Sequence, residues 1–318
     1  MSRAREFADL AGSADAGGIT GRNLIINGAM EVAQRGTSTA SISSSSTYVL
    51  DRTRFGLSNG GTWTMSQSTT VPSGQGFSHS LKLDCTTADT SLGSTDYLQV
   101  QQLIEGQNVQ HLAYGTSGAK SVTVSFWIRS NKTGTYTLEV QTQTSSNAFY
   151  QNAKAFTISS ADTWEKKEIT FVGNTSNNVI NSNAVGFYVS LWLGAGSSRT
   201  SGTFTNGTWH NTAANRVHSS QVNLADSTSN ELYLTGLQLE VGEQATPFEH
   251  RSFGDELARC QRYYVRDSAT YSGGSSAYKF FAAGTCISTT SGRFTYHFPV
   301  PMRTAPTLGQ SANNTLSV

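Results

Sequence analysis

Charged residues are scarce in this chain of 318 residues: Asp, Glu, Lys and Arg make up 14% of it, against roughly a quarter in typical soluble domains. The net charge is only +1, from 22 basic and 21 acidic residues. The sequence therefore has no basic stripe that could neutralise a phosphate backbone, which makes nucleic acid a poor candidate partner. Ser, Thr, Asn, Gln and Gly replace the charges, as in β proteins with polar, uncharged surfaces.

Cysteines and long apolar runs are also few. Cys85, Cys260 and Cys286 are far apart and lack the spacing of a metal site or a disulfide framework. We expect reduced, buried thiols in a protein made in a reducing cytoplasm. No run reaches the ~18 apolar residues that would cross a bilayer, and the N-terminus lacks the apolar core of a signal peptide. Membrane insertion is not expected.

Alternating apolar and polar residues dominate the middle of the chain. Val122 to Arg129, Tyr136 to Gln141, Phe187 to Leu193 and Leu232 to Leu239 each follow a period of two, which predicts half-buried antiparallel strands. Many short strands without helices between them indicate an all-β fold, a jelly-roll β-sandwich over residues 22–250.

Different patterns flank this domain. A short N-terminal helix with an apolar stripe and a Gly-rich linker are predicted within residues 1–21. A helix this short needs a partner, either its own copies in an oligomer or a docking protein. Ser252 and Asp255 have the spacing of a capping box and predict a connecting helix within residues 251–267. Residues 268–318 form a small C-terminal β region in this prediction, and the stripe Phe253, Leu257, Cys260 and Tyr264 of the helix could meet other subunits.

Three segments resemble a family of phage tail-fibre and virion-appendage proteins. The first spans Arg22 to Gly36 (RNLIINGAMEVAQRG) and is followed by Asp51 and Arg52. The second spans Leu237 to Arg251 (LQLEVGEQATPFEHR). The third spans Glu256 to Tyr264 (ELARCQRYY), with Pro301 to Thr307 (PMRTAPT) behind it. After Arg52 this chain has Thr53, where the family usually has Trp. The central domain is similar to the jelly rolls of carbohydrate-binding modules.

The resemblance implies a non-enzymatic structural protein of a bacteriophage virion. We expect a homotrimeric tail fibre that contacts other virion proteins through its N-terminal helix and host cell-surface polysaccharide through its sandwich. Three copies are expected because short helices and open sheet edges gain stability when neighbours cover them. One alternative is a purely structural tail adaptor, collar or capsid fibre without a receptor site. A polysaccharide-degrading tailspike is a third hypothesis, which the scattered carboxylates do not favour.

Seven side chains form a candidate glycan-binding or subunit-interface face, provided that their strands share one sheet. If Val124, Phe126 and Ile128 face the core, alternation turns their neighbours outward, and the same argument applies to the other strands. Aromatic rings stack on pyranoses and also fill subunit interfaces, so both interpretations remain open. The residues are Trp127, Arg129, Glu139, Gln141, Tyr188, Trp192 and, on a loop, Trp209. Trp209 has the alternative of packing over the sandwich edge.

The similarity to carbohydrate-binding jelly rolls also implies a structural calcium ion. In related domains it lies near the opening Asn-Gly element and the last strand, where Glu31 and Glu240 are the matching oxygen ligands here. A solvated or hydrogen-bonded glutamate is the simpler alternative at both positions. No other cofactor is predicted.

Overall fold

The computed structural model describes residues 21–266, 283–289 and 291–307. Most of the described chain is antiparallel β-structure. The twelve strands are β1 Ser38–Tyr48, β2 Thr53–Ser68, β3 Ser80–Thr87, β4 Tyr97–Glu105, β5 Val122–Ser130, β6 Gly134–Gln143, β7 Phe149–Ile158, β8 Glu165–Phe171, β9 Val185–Ala195, β10 Glu231–Val241, β11 Ala283–Ser288 and β12 Ser291–Thr295. The helices are α1 Ser197–Thr200, α2 Phe253–Gln261 and three short 3₁₀ helices at Gly106–Leu112, Ala213–Asn215 and Leu224–Asp226.

Ten of these strands form one hydrogen-bonded sheet that folds back on itself as a sandwich. Its order is β7-β6-β9-β4-β2-β3-β10-β5-β8, and β1 pairs with β2. The long strand β2 belongs to both layers, since residues 53–58 pair with β4 and residues 62–68 pair with β3. We call β7-β6-β9-β4 with the start of β2 the first sheet, and the end of β2 with β3-β10-β5-β8 the second sheet.

The chain turns between the two layers at Asn59 and Gly61. Both have positive φ, 49° and 78°, a conformation that glycine adopts at no steric cost and asparagine tolerates. A Cβ on Gly61 would lie 2.2 Å from the carbonyl oxygen of Thr87. The corner therefore needs a residue without a side chain at this point.

The core lies between the two sheets and contains the predicted apolar positions. Val124, Phe126 and Ile128 are buried, as are the apolar residues of β6, β9 and β10. Phe156 joins the layers, because its ring lies 5.5 Å from that of Phe126 on β5 and 5.9 Å from that of Tyr136 on β6. The prediction of an all-β sandwich of the jelly-roll type is confirmed.

A segment between β9 and β10, residues 196–226, lies over part of the outer face of the first sheet. Its backbone pairs with strand edges at Gln151 and Thr135, through His210 and Gln221 respectively. We call it the cover segment. It has little regular structure, and its contacts with the sheet decide which outward side chains reach solvent.

Helix α2 begins at the predicted capping residue, because the Ser252 hydroxyl accepts a hydrogen bond from the Asp255 N–H at 3.2 Å. It packs on the sandwich itself: Cys260 is fully buried, and the Glu256 carboxylate accepts from the Asn27 N–H at 2.6 Å. Two residues of the predicted apolar stripe, Cys260 and Tyr264, therefore contact the sandwich of the same chain. Phe253 is 56% exposed.

The structure describes only part of the regions that were predicted to flank the sandwich. The segment for which an N-terminal helix is predicted lies outside the described residues. In the predicted C-terminal β region, β11 and β12 pair as a hairpin. Within the described part of the chain, no helix has the length and apolar character needed to cross a bilayer.

Candidate functional site

Strand pairing arranges the outward side chains of the first sheet in rows. Tyr48, Arg54, Gln101, Ser190 and Glu139 occupy successive strands in one row. Paired residues of an antiparallel sheet project from the same face. Four of the predicted site residues, Glu139, Gln141, Tyr188 and Trp192, therefore share this outer face.

The cover segment buries one half of this face. Trp192 is 1% exposed and Glu139 is fully buried. Arg216 of the cover segment donates from Nε to Oε2 of Glu139 at 2.8 Å and from Nη2 to Oε1, and its guanidinium carbon lies 5.1 Å from the centre of the Trp192 ring. Both side chains project from the outer face, as alternation predicts, but another part of the same chain covers them there.

The other half of the face is only partly covered, since Tyr48, Arg54 and Tyr188 are half-buried. Tyr188 is half-buried and lies beside Phe149, with ring centres 6.3 Å apart. Its hydroxyl is 3.4 Å from the Gln143 side-chain oxygen. Gln141, in the same row as Tyr188, is largely buried at 8% exposure. Arg54 donates to the side-chain oxygen of Gln101.

A cavity of about 210 Å³ lies next to this part of the outer face, toward the end of the sheet. Leu103 lines it and is the β4 partner of Tyr188 in the strand register, and Tyr48 lines it and is the β1 partner of Arg54. The cavity is therefore contiguous with the outer face. We call the cavity and the adjoining outer face of the first sheet the arginine–tyrosine cleft. It is formed by Arg35, Tyr48, Arg52, Arg54, Tyr188, Tyr263 and Tyr264.

Two arginines of the cleft stack on tyrosine rings. The guanidinium carbon of Arg52 lies 3.6 Å from the centre of the Tyr263 ring, and that of Arg35 lies 3.6 Å from the centre of the Tyr264 ring. Cation–π contacts of this kind contribute about 0.5–2 kcal/mol, more where water is excluded. Each pair fixes a planar, charged group beside the cavity.

The carboxylates that line the cavity are both paired with arginine. Asp51 lies 3.1 Å from Arg35, and Glu105 accepts two hydrogen bonds from Arg262 at 2.8 Å. Burial opposes ionisation of Glu105, but the bonds from Arg262 and from the Tyr263 hydroxyl outweigh it and lower its pKa. At Asp51 burial dominates and raises the pKa despite Gln34 and Arg35.

Tyr263 donates its hydroxyl to Glu105 at 2.6 Å. Burial, opposed by the charge of Arg52, raises the pKa of Tyr263 to about 12. The hydroxyl therefore remains protonated at neutral pH and keeps the ring in place under Arg52.

Trp127 and Arg129 lie on the opposite side of the molecule. Their strand β5 belongs to the second sheet, where Trp127 pairs with Thr235 and Arg129 with Tyr233. The Arg129 guanidinium contacts Asp162 at 3.2 Å and lies 5.1 Å from the Tyr233 ring centre. The predicted single face is thus wrong in this respect, because the residues are divided between two sheets.

Trp209 packs over the sandwich edge, the alternative given for it above. Its indole N–H donates to the Val172 carbonyl at 2.7 Å, and its ring meets that of buried Tyr114 edge-on at 5.7 Å. A role in receptor or subunit contact stays a prediction for Trp209, as for the other residues of the predicted set.

The surroundings of Glu240 do not fit a calcium ion. Its carboxylate accepts from the Thr246 N–H at 3.0 Å and from the Gln238 amide at 2.7 Å, and Arg22 lies 3.9 Å away. A cationic side chain thus stands beside the proposed ligand. The backbone carbonyl of Glu31 accepts a hydrogen bond from the Gln67 side-chain amide. Among the described residues, no group of three or more His, Cys, Asp or Glu side chains is placed to hold a metal ion.

No protein family matches. Models of known families and the curated proteins both yield no match to the sequence. Solved structures give similarities at 10% identity or less, with TM-scores below 0.4, in the three cases described next.

The first is the enzymatically active domain of tailspike protein 4 of bacteriophage CBA120, at 10% identity and a TM-score of 0.38, covering 69% of this chain but 21% of that chain. The second is a putative sugar-binding protein of Bacteroides thetaiotaomicron, at 10% identity and a TM-score of 0.36, covering 69% and 99%. The third is a xylan-binding domain from Paenibacillus barcinonensis, at 9% identity and a TM-score of 0.32, covering 66% and 99%.

Most residues of the cleft were not predicted as site residues, although several of them lie in the segments that resemble phage proteins. Arg35, Arg52, Tyr263 and Tyr264 all fall in segments that carried the family resemblance. The signal present in the sequence was the set of arginines and tyrosines within those segments. Only the fold shows that residues more than two hundred positions apart line one cavity.

Proposed function

We propose that this chain is a non-enzymatic, glycan-binding subunit of a bacteriophage appendage, a homotrimeric tail fibre that adsorbs to host cell-surface polysaccharide. The observation that carries the proposal is the arginine–tyrosine cleft, which is open, concave and lined by tyrosine rings and guanidinium groups. Pyranose rings stack on aromatic faces, and Arg and Gln side chains donate hydrogen bonds to sugar oxygens.

The arrangement of carboxylates supports binding without cleavage. A glycosidase needs two carboxyl groups roughly 5–9 Å apart, one of them free to give a proton and one to attack or to activate water. The two carboxylates lining the cavity are Asp51 and Glu105, and each is engaged by an arginine. Glu105 accepts four hydrogen bonds and Asp51 accepts three, so little of their capacity as acceptors remains for such chemistry.

The fibre part of the proposal rests on the sequence resemblance and on surface that one copy leaves uncovered. Phe253 on α2 and Ile287 on β11 are 56% and 57% exposed. Three copies could cover these apolar groups, and trivalent display would strengthen weak single-site affinity for a repetitive polysaccharide.

The test is a glycan array probed with the purified full chain, with light scattering to give its mass. We expect a trimer that binds polysaccharide, and we expect Tyr188→Ala to weaken binding at least about tenfold because a stacking ring is lost. Trp127→Ala is the matched control, since it removes an aromatic ring from the opposite sheet. Release of reducing ends from any bound glycan would contradict the non-enzymatic assignment.

A purely structural adaptor, collar or capsid fibre is the competing function. It predicts a correctly assembled oligomer that binds no glycan on the array, and Tyr188→Ala would then leave adsorption of the assembled particle unchanged. A monomeric protein would contradict both the glycan-binding fibre and the purely structural component.

A further inference from the structure

We infer that the cavity beside Arg52 accepts the carboxylate of an acidic sugar residue, with Arg52 as its anchoring group. The inference rests on the proposed glycan binding and specifies the class of glycan. Neutral polysaccharides would occupy the outer face near Tyr188, whereas a uronic acid would also place its carboxylate in the cavity.

Arg52 makes no ion pair with any described residue. Its guanidinium donates to the Leu103 carbonyl and stacks on Tyr263, but among the described residues no carboxylate lies within 4.0 Å of it. Its Nε is buried and makes no hydrogen bond there. A buried cationic donor without an acceptor is costly, and an incoming carboxylate would remove that cost.

The neighbouring charges leave a positive excess at the cavity. Three of its lining residues are arginines, Arg35, Arg52 and Arg303, and two are acids. Asp51 compensates Arg35, and Glu105 is taken by Arg262 from outside the lining set. Arg52 and Arg303 remain, so the cavity attracts an anion.

The pKa of Arg52 agrees with this arrangement. Burial lowers it, and the hydroxyls and acids around the side chain, Tyr263 first among them, do not restore it. The charged form of Arg52 is therefore less stabilised than a free arginine in water. A bound carboxylate would supply the missing stabilisation.

The cavity also has the size and lining for one sugar ring. Its volume of about 210 Å³ is many times the ~10–15 Å³ that a single water needs. Tyr48, Tyr263 and Tyr264 contribute ring surface, and the planar fork of an arginine matches the two oxygens of a carboxylate. A larger ligand would extend along the outer face toward Tyr188.

The experiment compares acidic polymers with their neutral counterparts. Polygalacturonate, alginate and hyaluronate are each presented to the full chain beside the carboxyl-reduced form of the same polymer, which keeps the ring and loses the charge. We expect at least one acidic polymer to bind about tenfold or more tightly than its reduced form, as for a charge-assisted hydrogen bond. This comparison needs no protein variant.

Variants then locate the effect. Arg52→Gln should abolish the preference for the acidic polymer, because affinity for the acidic form should fall about tenfold more than affinity for its reduced form. Arg52→Lys should keep part of the preference because it keeps the charge without the fork. Arg129→Gln on the opposite sheet is the control and should keep the full preference. Thermal unfolding of each variant confirms that it is folded.

The outcomes separate this inference from the proposed function. Equal affinity for acidic and reduced polymers overturns the carboxylate site but leaves glycan binding in place. Binding only to a sulfated polymer such as dextran sulfate likewise overturns it. If no glycan binds, the proposed function fails as well. If Arg52→Gln alters the oligomer mass and not the preference, the cavity holds an acidic group of a neighbouring copy and the inference is wrong.

Discussion

Arg216 binds both carboxylate oxygens of Glu139 at a point on the first sheet from which solvent is fully excluded. The pair fastens the cover segment to strand β6. Burial alone would lower the pKa of Arg216, but the adjacent carboxylate outweighs burial and raises it. The Arg216 guanidinium therefore stays protonated throughout the neutral range.

The first prediction concerns this pair. Arg216→Met should destabilise the protein by about 3–5 kcal/mol, because it leaves the Glu139 carboxylate buried without a counter-charge. Adding Glu139→Leu should recover most of the loss, since both charges are then replaced by apolar groups. Urea unfolding of the two single variants and the double variant measures this. A single-variant loss below about 1 kcal/mol would show that the cover segment opens to solvent readily.

The sequence pattern predicts which side chains of a strand face the core, but it does not predict whether the opposite face is exposed to solvent. Period-two alternation placed Val124, Phe126 and Ile128 in the core correctly, because alternation is a local property of the backbone. Exposure of the opposite face is not local. Glu139 and Trp192 alternate as outward residues do, yet the cover segment, which has no periodicity, buries them.

The division of the predicted face between two sheets has a similar cause. Strands β5 and β6 follow each other with only residues 131–133 between them, a spacing that favours a hairpin. In the structure the link crosses from the second sheet to the first, so β5 pairs with β10 and β8 instead. Only long-range pairing decides between these arrangements, and a single sequence does not encode that pairing in its local pattern.

The second prediction concerns Gly28, within the first of the quoted segments. A Cβ at this position would lie 2.1 Å from the Leu237 carbonyl oxygen, a backbone atom that no rotamer change can move. Gly28→Ala should therefore destabilise the protein by about 3 kcal/mol or more, the upper end of overpacking costs. Gly254→Ala in α2 is the control, because nothing lies within 4 Å of its Cβ. The control should be neutral or slightly stabilising, and thermal unfolding compares the two.

The third prediction concerns His210 of the cover segment. Its Nδ1 accepts from the Thr212 N–H at 3.2 Å, and burial, opposed by Glu139 but reinforced by Arg216, lowers its pKa. The unfolded chain takes up a proton near pH 6.5 while the folded protein resists it. Stability should therefore be complete above pH ~7 and decline as the pH falls through ~6.5 toward the lower folded pKa.

His210→Gln tests this assignment, since glutamine has no proton to take up in that range. The slope of unfolding free energy between pH 7.5 and 5.5 should be smaller in the variant than in the wild type. An unchanged slope would assign the pH dependence to other groups, and His297 in the C-terminal region, substituted by Gln, serves as the comparison.

The fourth prediction concerns Glu105, which fixes the residues that follow α2 to the end of strand β4. Because hydrogen bonds from Arg262 and Tyr263 outweigh burial and lower its pKa, the unfolded carboxyl protonates first, near pH 4.3. The stabilisation is present above that pH and is lost as the pH falls through the lower folded pKa. Glu105→Gln should remove this acid-side loss and lower stability at pH 7 by about 1.5–3 kcal/mol, the range for hydrogen bonds to a charged group. Glu168→Gln, on an exposed position of β8, is the control and should change neither the acid-side loss nor the stability at pH 7.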